Sequence, residues 1–202
     1  MITKSNGNWQ QLFSGSKYYP ATPNPEVIEI EDVAHHLSLI CRYAGACSHL
    51  YSVGAHSLIM SHYASDAIAQ DSSLPRELPV QALLHDAAEM IIGDVPRPSK
   101  RLSNIKEVVE HSNLIAIFER FGVPFFDEAI MEDLDIILLK WEHSAFMSRE
   151  HDWGLPVSRF EDERYEVSPT VVSLVEITMK RFCHPFTVEQ TFLKRAKELG
   201  LE

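Results

Sequence analysis

The sequence predicts an all-α protein, a compact bundle of six or seven helices that forms one domain over residues 1–202. Apolar residues recur at helical spacing along most of the chain. Ser, Asp, Gly and Pro stand where helices are expected to begin and end, and almost no stretch alternates apolar and polar residues as a strand would. A hydrophobic fraction of 45% over 202 residues is enough for one sizeable core.

The first part of the chain is expected to lead into two helices. Residues 1–27 are polar and rich in Gly and Pro, which predicts an irregular arm, and a short strand is expected over 26–30. Apolar residues at helical spacing predict the first helix over 31–45. Ser52 is a suitable N-cap for a second helix over 52–66.

Helix start and stop signals predict the rest of the bundle. The further helices are expected over 82–93, 103–121, 127–148, 168–184 and 187–200. Ser168 followed by Pro169 is a strong helix start, because Pro is well tolerated at the first helical position. The domain thus divides into the arm, a motif-bearing core over 28–148, and an acidic loop with C-terminal helices over 149–202.

The net charge indicates which partners to expect, and the cysteine content indicates the cellular compartment. A net charge of −11 argues against a nucleic-acid binder, which normally presents a basic face. Three cysteines without a CxxC pair fit a cytoplasmic chain with reduced thiols. No apolar run is long enough to span a bilayer, so no membrane partner is expected.

The chemistry is expected in the stretch ALLHDAAEMIIGDVPRP, residues 82–98. Apolar residues surround His85, Asp86 and Glu89, which predicts a buried helix. A rotation of about 100° per residue places the three polar side chains on one helix face. Buried charges are costly, so these acids need partners or a metal. The alternative is a local pairing of His85 with Asp86 and an exposed Glu89.

Two other polar side chains lie on apolar helix faces. The pattern of the second helix allows His56 to be either a core histidine or a metal ligand. Asp135 is flanked by leucine and isoleucines and shares a stripe with Glu142. That stripe fits either a buried salt bridge or a metal site.

Several cations stand close to these residues in sequence. Arg97, Lys100 and Arg101 form a cluster in an otherwise acidic chain, which fits either anion capture or a solvated surface. Arg42 near the end of the first predicted helix fits either compensation of the helix dipole or phosphate binding.

Three motifs in this order resemble the HD-domain metal-dependent phosphohydrolases: EDVAHHLSLICRYAG, YSVGAHS and ALLHDAAEMIIGDVPRPSK. The resemblance covers residues 28–148 and is nearest to the small nucleotide-hydrolysing branch, which includes phage-type members that act on deoxynucleotides. It implies a bound divalent metal, with Co, Mn, Ni, Zn, Fe and Mg as candidates. The ligands that it implies are His56, His85, Asp86 and Asp135.

The resemblance also implies roles around the metal. Glu89 and Asp94 would serve catalysis, and Arg42 would hold a phosphate. Lys100 and Arg101 would neutralise phosphate oxygens. Homo-oligomers are common among such relatives, and the C-terminal helices are candidates for an interface.

Three details stay open at this point. Gly54-Ala55 stands where family members often carry Ala-Glu, so an acid near the first ligand is missing. Glu142 and His143 are alternatives to Asp135 as the last ligand. Tyr43 is expected to contact the substrate by stacking on a base, as Tyr51 also could, although both tyrosines also fit the core.

The expected function is hydrolysis of deoxynucleotides. A triphosphohydrolase that cuts a dNTP at the α-phosphate, releasing deoxynucleoside and polyphosphate, is favoured by the cationic cluster, and dATP is a reasonable first substrate. The alternatives are a 5′-deoxynucleotidase acting on dNMPs and a catalytically inactive HD module that binds nucleotide.

Overall fold

The protein is an all-α bundle, as predicted, apart from one small ribbon near the N-terminus. The structure, a computed structural model, describes residues 8–102, 104, 106–147, 151–179 and 183–201, without the side chains of 106 and 107. The first seven residues of the arm, the predicted helix boundaries at Ser103 and Ser148, and part of the helix predicted over 168–184 lie outside these ranges.

The N-terminal arm contains regular structure, contrary to the prediction. Strands β1 (Gln10–Gln11) and β2 (Lys17–Tyr18) form an antiparallel ribbon. The strand predicted over 26–30 is wrong, because Pro25–Val27 form a 3-10 turn. Proline fixes its φ and lacks an N–H, so it favours this turn over a strand.

Helix α1 (Ile30–Leu39) ends six residues before the predicted boundary. The chain then forms a 3-10 turn over Arg42–Gly45, in which Tyr43 and Ala44 have φ values of 58° and 50°. The left-handed conformation costs roughly 1–2 kcal/mol for each residue that is not glycine. Contacts with the rest of the fold must therefore hold this turn.

Backbone pairing with the segment before the next helix explains the early end of α1. The N–H of Arg42 donates to the carbonyl of Tyr51, and the N–H of Val53 donates to the carbonyl of Ile40, both at 2.9 Å. These bonds replace the helical bonds that continuation of α1 would have made. Helix α2 (Val53–Gln70) then begins after Ser52, whose hydroxyl caps it as predicted.

The continuous helix predicted over 82–93 is wrong in its middle. Helix α3 (Leu78–Leu84) begins earlier than expected, and α4 (Glu89–Ile92) follows after a turn. The turn is tightened by bonds that span three residues, such as Glu89 N–H to Asp86 C=O at 2.9 Å. The His-Asp pair therefore lies in a turn between two helices rather than inside one helix.

The remaining elements follow in order. They are α5 (Arg97–Lys100), a π-helical turn (Lys106–Glu110), α6 (His111–Arg120), α7 (Glu128–Phe146), a 3-10 turn (Arg159–Glu161), α8 (Pro169–Thr178) and α9 (Pro185–Glu198). The start predicted at Thr187 is wrong, because the side chain of His184 accepts from the N–H of Phe186 and starts α9 two residues earlier.

Helix α2 forms the centre of the bundle and packs against α1, α3, α7, α8 and α9. Gly54 permits the closest approach: a Cβ there would lie 3.2 Å from backbone atoms of Leu37 and Ser38 and from the side chain of Val188. This packing fixes the position of His56 two residues further on. Within the described ranges, no helix combines the length and the apolar character needed to cross a membrane.

Candidate metal centre

Three predicted ligands from three separate elements meet in the structure. His56 lies on α2, His85 directly follows α3, and Asp135 lies on α7; one potential ligand atom from each is within 4.8 Å of the others. Asp86 lies beside them, with its Oδ2 3.1 Å from Nε2 of His85 and 3.9 Å from Nε2 of His56. The fold thus brings together all four side chains that the resemblance implied.

The two imidazoles are oriented by bonds on their outer nitrogens. Nδ1 of His85 lies 2.8 Å from the carbonyl of Ala82, and Nδ1 of His56 lies 2.6 Å from Oε1 of Glu142. Because a carbonyl only accepts, Nδ1 of His85 carries the proton. In the neutral rings, the lone pairs are therefore on the Nε2 atoms, which face the other ligands.

The inward-facing atoms have no hydrogen-bond partner within the described ranges. They are Nε2 of His56, Nε2 of His85 and Oδ1 of Asp135, and all three are buried. Buried polar atoms are nearly always paired, so a group of three needs an explanation. Lone pairs facing one another repel unless a cation or a proton lies between them. Two imidazoles and two carboxylates form a mixed N/O donor set that fits a divalent transition metal.

The carboxylates of the centre are held in the ionised form. Burial alone would raise the pKa of Asp86, but the neighbouring side chains of His85, His56 and Arg42 hold this pKa well below its usual range. Burial opposes ionisation of Asp135 too, and His56 and Arg42 lower its pKa. Ionised carboxylates are the form that a metal binds.

His56 competes for a proton at the same position. Its burial and the charge of Arg42 lower its pKa, yet the carboxylates of Glu142 and Asp135 outweigh both and raise the pKa to about 9. Nε2 of His56 lies 3.4 Å from Oδ1 of Asp135. A proton on this nitrogen therefore offsets part of the negative charge that a metal would neutralise.

Glu142 connects the centre to its surroundings and is fully buried. Its Oε1 accepts from the hydroxyl of Tyr51 at 2.9 Å as well as facing His56. Its Oε2 accepts from the hydroxyl of Tyr43 and from Nε of Arg42, the latter at 3.3 Å. Glu142 thus lies behind His56, on the side away from Asp135, and orients this imidazole.

Arg42, Tyr43 and Tyr51 all contact other side chains of the protein. Arg42 is only 7% exposed, and its guanidinium lies 3.2 Å from Glu142 and 3.4 Å from Asp86. Tyr51 is buried in the core, which was one of the two alternatives for this residue, the other being stacking on a base. Tyr43 binds Glu142 through its hydroxyl, and its ring lies against Trp153 with centroids 5.9 Å apart.

Glu89 and Lys100 form a buried pair at the edge of the centre. Glu89 is 3% exposed, and its Oε1 lies 3.2 Å from Nζ of Lys100. In the part of the chain that the structure describes, its Oε2 has no hydrogen-bond partner. Burial and the charge of Asp86 raise the pKa of Glu89 well above its usual range. Lys100 also contacts Glu110 at 3.0 Å. The two predicted site residues are therefore neighbours, and Lys100 already binds two carboxylates.

Asp94 is attached to the turn that carries Arg42. Its Oδ2 accepts from the N–H of Tyr43 at 2.6 Å. Burial raises the pKa of Asp94, and the charge of Arg42 opposes that rise. The carboxylate thus supports the left-handed turn at Tyr43.

A cavity of about 350 Å³ opens from the centre. This volume lies within the range of small-molecule sites. Its lining includes ligand candidates (His85, Asp86, Asp135), cations (Arg97, Lys100, Arg101), acids (Glu110, Glu128, Glu132) and mainly apolar or aromatic side chains (His111, Leu114, Phe125, Phe126, Met131). Arg97 also contacts Asp135 through its guanidinium.

The structure separates the alternatives for the last ligand. Asp135 belongs to the group of converging atoms, whereas Glu142 lies behind His56 and the ring of His143 packs against Trp153 at 4.4 Å. Sequence reasoning missed the orienting position of Glu142 and the aromatic lining of the cavity. Glu128 lies seven residues before Asp135, so helical spacing could have predicted that both line the same wall of the cavity. The sequence pattern did not indicate that Phe125 also lines it.

The fold and the site together define the class of protein. It is a compact all-helical protein in which a cluster of His and Asp side chains lies beside a cavity. The chain is 35% identical over 132 residues to the uncharacterized protein YfdR of Escherichia coli, covering 65% of this chain and 68% of that protein. It therefore belongs to the same family as YfdR.

A second relative is an uncharacterized protein of Rhodobacter capsulatus. It is 35% identical over 120 residues, covering 57% of this chain and 59% of the relative. No family model matches the sequence.

Proposed function

We propose that this protein is a metal-dependent phosphohydrolase of deoxynucleotides with an HD-type centre. The observation that carries the proposal is the convergence of His56, His85 and Asp135, whose inward-facing atoms have no hydrogen-bond partner among the described residues, beside a cavity that His85 and Asp135 line. Asp86 would complete the ligand set. The mixed N/O donors suit Co, Mn, Ni, Zn or Fe, and Mg is also compatible.

A metal at this position would supply Lewis-acid chemistry, making phosphorus more electrophilic and water more acidic. Water attacks the phosphorus next to the sugar, and the bond from this phosphorus to the 5′ oxygen breaks. Glu89 accepts a proton from the water, since its side chain is buried at the edge of the centre and its Oε2 makes no hydrogen bond to the described residues. Asp94, whose pKa is also raised, returns a proton to the 5′ oxygen.

The cations of the cavity would bind the phosphate oxygens. Arg97, Lys100 and Arg101 line the same cavity as the ligand candidates, and positioned cations stabilise charge in the transition state. Arg42 is adjacent, within 3.4 Å of Asp86. It contributes positive charge to the centre, while its bonds to Glu142 keep the guanidinium in place.

Two substrates use this same bond cleavage. Three cations along the cavity favour a deoxynucleoside triphosphate as substrate. Its phosphate chain is then released as tripolyphosphate. Pairing of Lys100 with Glu89 and of Arg97 with Asp135 favours a monophosphate, since it needs less positive charge. Assays of dNTPs and dNMPs with Co or Mn separate the two, because triphosphate appears in one case and phosphate in the other.

Removal of a metal-ligand side chain distinguishes an enzyme from the alternative hypothesis, an inactive nucleotide-binding module. We expect Asp86→Ala to abolish hydrolysis and to lower the metal content of the reconstituted protein. Glu163→Ala, which changes an exposed acid outside the cavity, is the matched control. Hydrolysis that persists unchanged in Asp86→Ala would contradict the proposal. Binding of metal and deoxynucleotide without hydrolysis by the wild type would support the rival.

A further inference from the structure

The lining of the cavity contains two chemically different groups of side chains. The ligand candidates His85, Asp86 and Asp135 are here called the metal end, and Leu114, Phe125, Phe126 and Met131 are called the aromatic end. Helix α7 connects the two ends, because Asp135 and Glu128 both line the cavity seven residues apart. At about 1.5 Å per residue, these two positions are separated by roughly 10 Å along the helix.

Phe125 presents an aromatic ring that its neighbours hold in place. The residue is 38% exposed, and its ring stacks on Phe126 with centroids 4.5 Å apart and an interplanar angle of 19°. His111 meets it edge-on at 5.7 Å. A partly exposed ring with fixed neighbours is a suitable platform for stacking of a planar base, and such stacking tolerates every base.

Two carboxylates accompany this platform. Glu128 and Glu132 line the cavity and are exposed, and neither makes an ion pair with a side chain in the described ranges. Glu110 differs, since it binds Lys100 at 3.0 Å. Ionised carboxylates only accept hydrogen bonds. They therefore favour a ligand that offers N–H groups at this end and repel phosphate toward the metal end.

We infer that the aromatic end binds the nucleobase of the substrate and prefers bases with an exocyclic amino group. This inference rests on the proposed function. Adenine, cytosine and guanine each offer an exocyclic amino group as donor to Glu128 or Glu132, whereas thymine offers only a ring N–H flanked by two carbonyl oxygens, which carboxylates repel. The charge distribution thus selects both the orientation of the nucleotide and the class of its base.

Base preference is tested with deoxynucleotides that differ only in the base. We expect kcat/KM for the three amino-bearing bases to exceed that for thymine by about ten-fold, since each charged hydrogen bond contributes on this order. The double variant Glu128→Gln with Glu132→Gln should narrow this gap, mainly through KM. The double variant Glu163→Gln with Glu166→Gln, at two exposed acids outside the cavity, is the control with a matched charge change. Equal kcat/KM for all four bases, or a preference for thymine, would overturn the inference.

Stacking is tested at Phe125. We expect Phe125→Ala to raise KM about ten-fold for every base, and Phe125→Tyr, which keeps the ring, to restore it. Phe186→Ala removes an exposed ring on α9, outside the cavity, and should have no effect. An unchanged KM in Phe125→Ala would overturn the assignment of the platform.

Calorimetric titration with deoxyadenosine and thymidine separates this inference from the proposed function, because nucleosides carry no phosphate to hydrolyse. Phe125-dependent binding of deoxyadenosine without hydrolysis of any deoxynucleotide would uphold the aromatic end and refute the phosphohydrolase. Hydrolysis without base preference and without dependence on Phe125 would support the phosphohydrolase and refute base binding at the aromatic end. Absence of both hydrolysis and nucleoside binding would refute both.

Discussion

Oε1 of Glu142 lies 2.6 Å from Nδ1 of His56, and both side chains are fully buried. A carboxylate behind a metal-binding imidazole fixes the tautomer and increases the basicity of the opposite nitrogen. Ala55, the residue directly before His56, carries no acid. In this fold, α7 places an acid next to the histidine instead.

The charge of Glu142 should matter for metal binding. We expect Glu142→Gln to lower metal affinity by about 10–100-fold, because outer-shell partners typically contribute this much. Equilibrium dialysis with Co measures the change, and circular dichroism checks the fold. Tyr51→Phe removes one donor to the same carboxylate but keeps its charge, so it should have a smaller effect. Unchanged affinity in a folded Glu142→Gln protein would refute the orienting role.

Metal affinity should rise with pH. His56 has a pKa raised to about 9, so below that pH a metal must displace its proton. One displaced proton corresponds to about a ten-fold gain in affinity per pH unit, from neutral pH up to about pH 9. Calorimetry in buffers of different ionisation enthalpy counts the proton released. His143→Gln should leave the profile unchanged, whereas a flat profile in the wild type would show that His56 is not displaced.

Arg101 should distinguish the two proposed substrates. It is exposed and lines the cavity, and we expect it to contact the outer phosphates of a triphosphate. We expect Arg101→Ala to raise KM for the triphosphate several-fold while leaving kcat and the KM for the monophosphate nearly unchanged. Arg164→Ala, an exposed cation outside the cavity, is the control. An equal effect on both substrates would argue against a role in binding the outer phosphates.

Gly54 should be required for the packing of α2. A Cβ at this position would meet two backbone atoms of α1 at 3.2 Å, which cannot move like a flexible side chain. We expect Gly54→Ala to lower the free energy of unfolding by about 1–3 kcal/mol. Ser57→Ala on the same helix removes a buried hydroxyl that has no hydrogen-bond partner among the described residues, so it should be nearly neutral. Thermal unfolding compares the two, and equal stability would contradict the close-packing argument.

Local signals predicted most of the helices because capping and apolar spacing act over a few residues. Ser52 and Ser168 both cap helices as expected. The ends of α1 and α3 were wrong for a different reason. Backbone pairing of Arg42 with Tyr51 and the tight turn at His85 depend on neighbours that helical spacing does not reveal.

The positions of the ligand candidates were accessible from sequence because each is a polar residue on an otherwise apolar helix face or stretch. His56 and Asp135 are examples, although either could have been an ordinary core residue. The function of Glu142 was not accessible, because it depends on which side of His56 helix α7 passes. The aromatic end depends similarly on how the loop before α7 folds back to bring Phe125 to the cavity.

The bond from Tyr43 N–H to Asp94 has a practical consequence for mutagenesis. Replacing Asp94 with alanine removes a carboxylate and also releases a backbone held in an unfavourable conformation, so lost turnover would report two events at once. Asparagine keeps an oxygen that can accept from that amide while abolishing proton exchange. Comparison of these two replacements, rather than either alone, would reveal whether the side chain serves the reaction or the geometry of the loop.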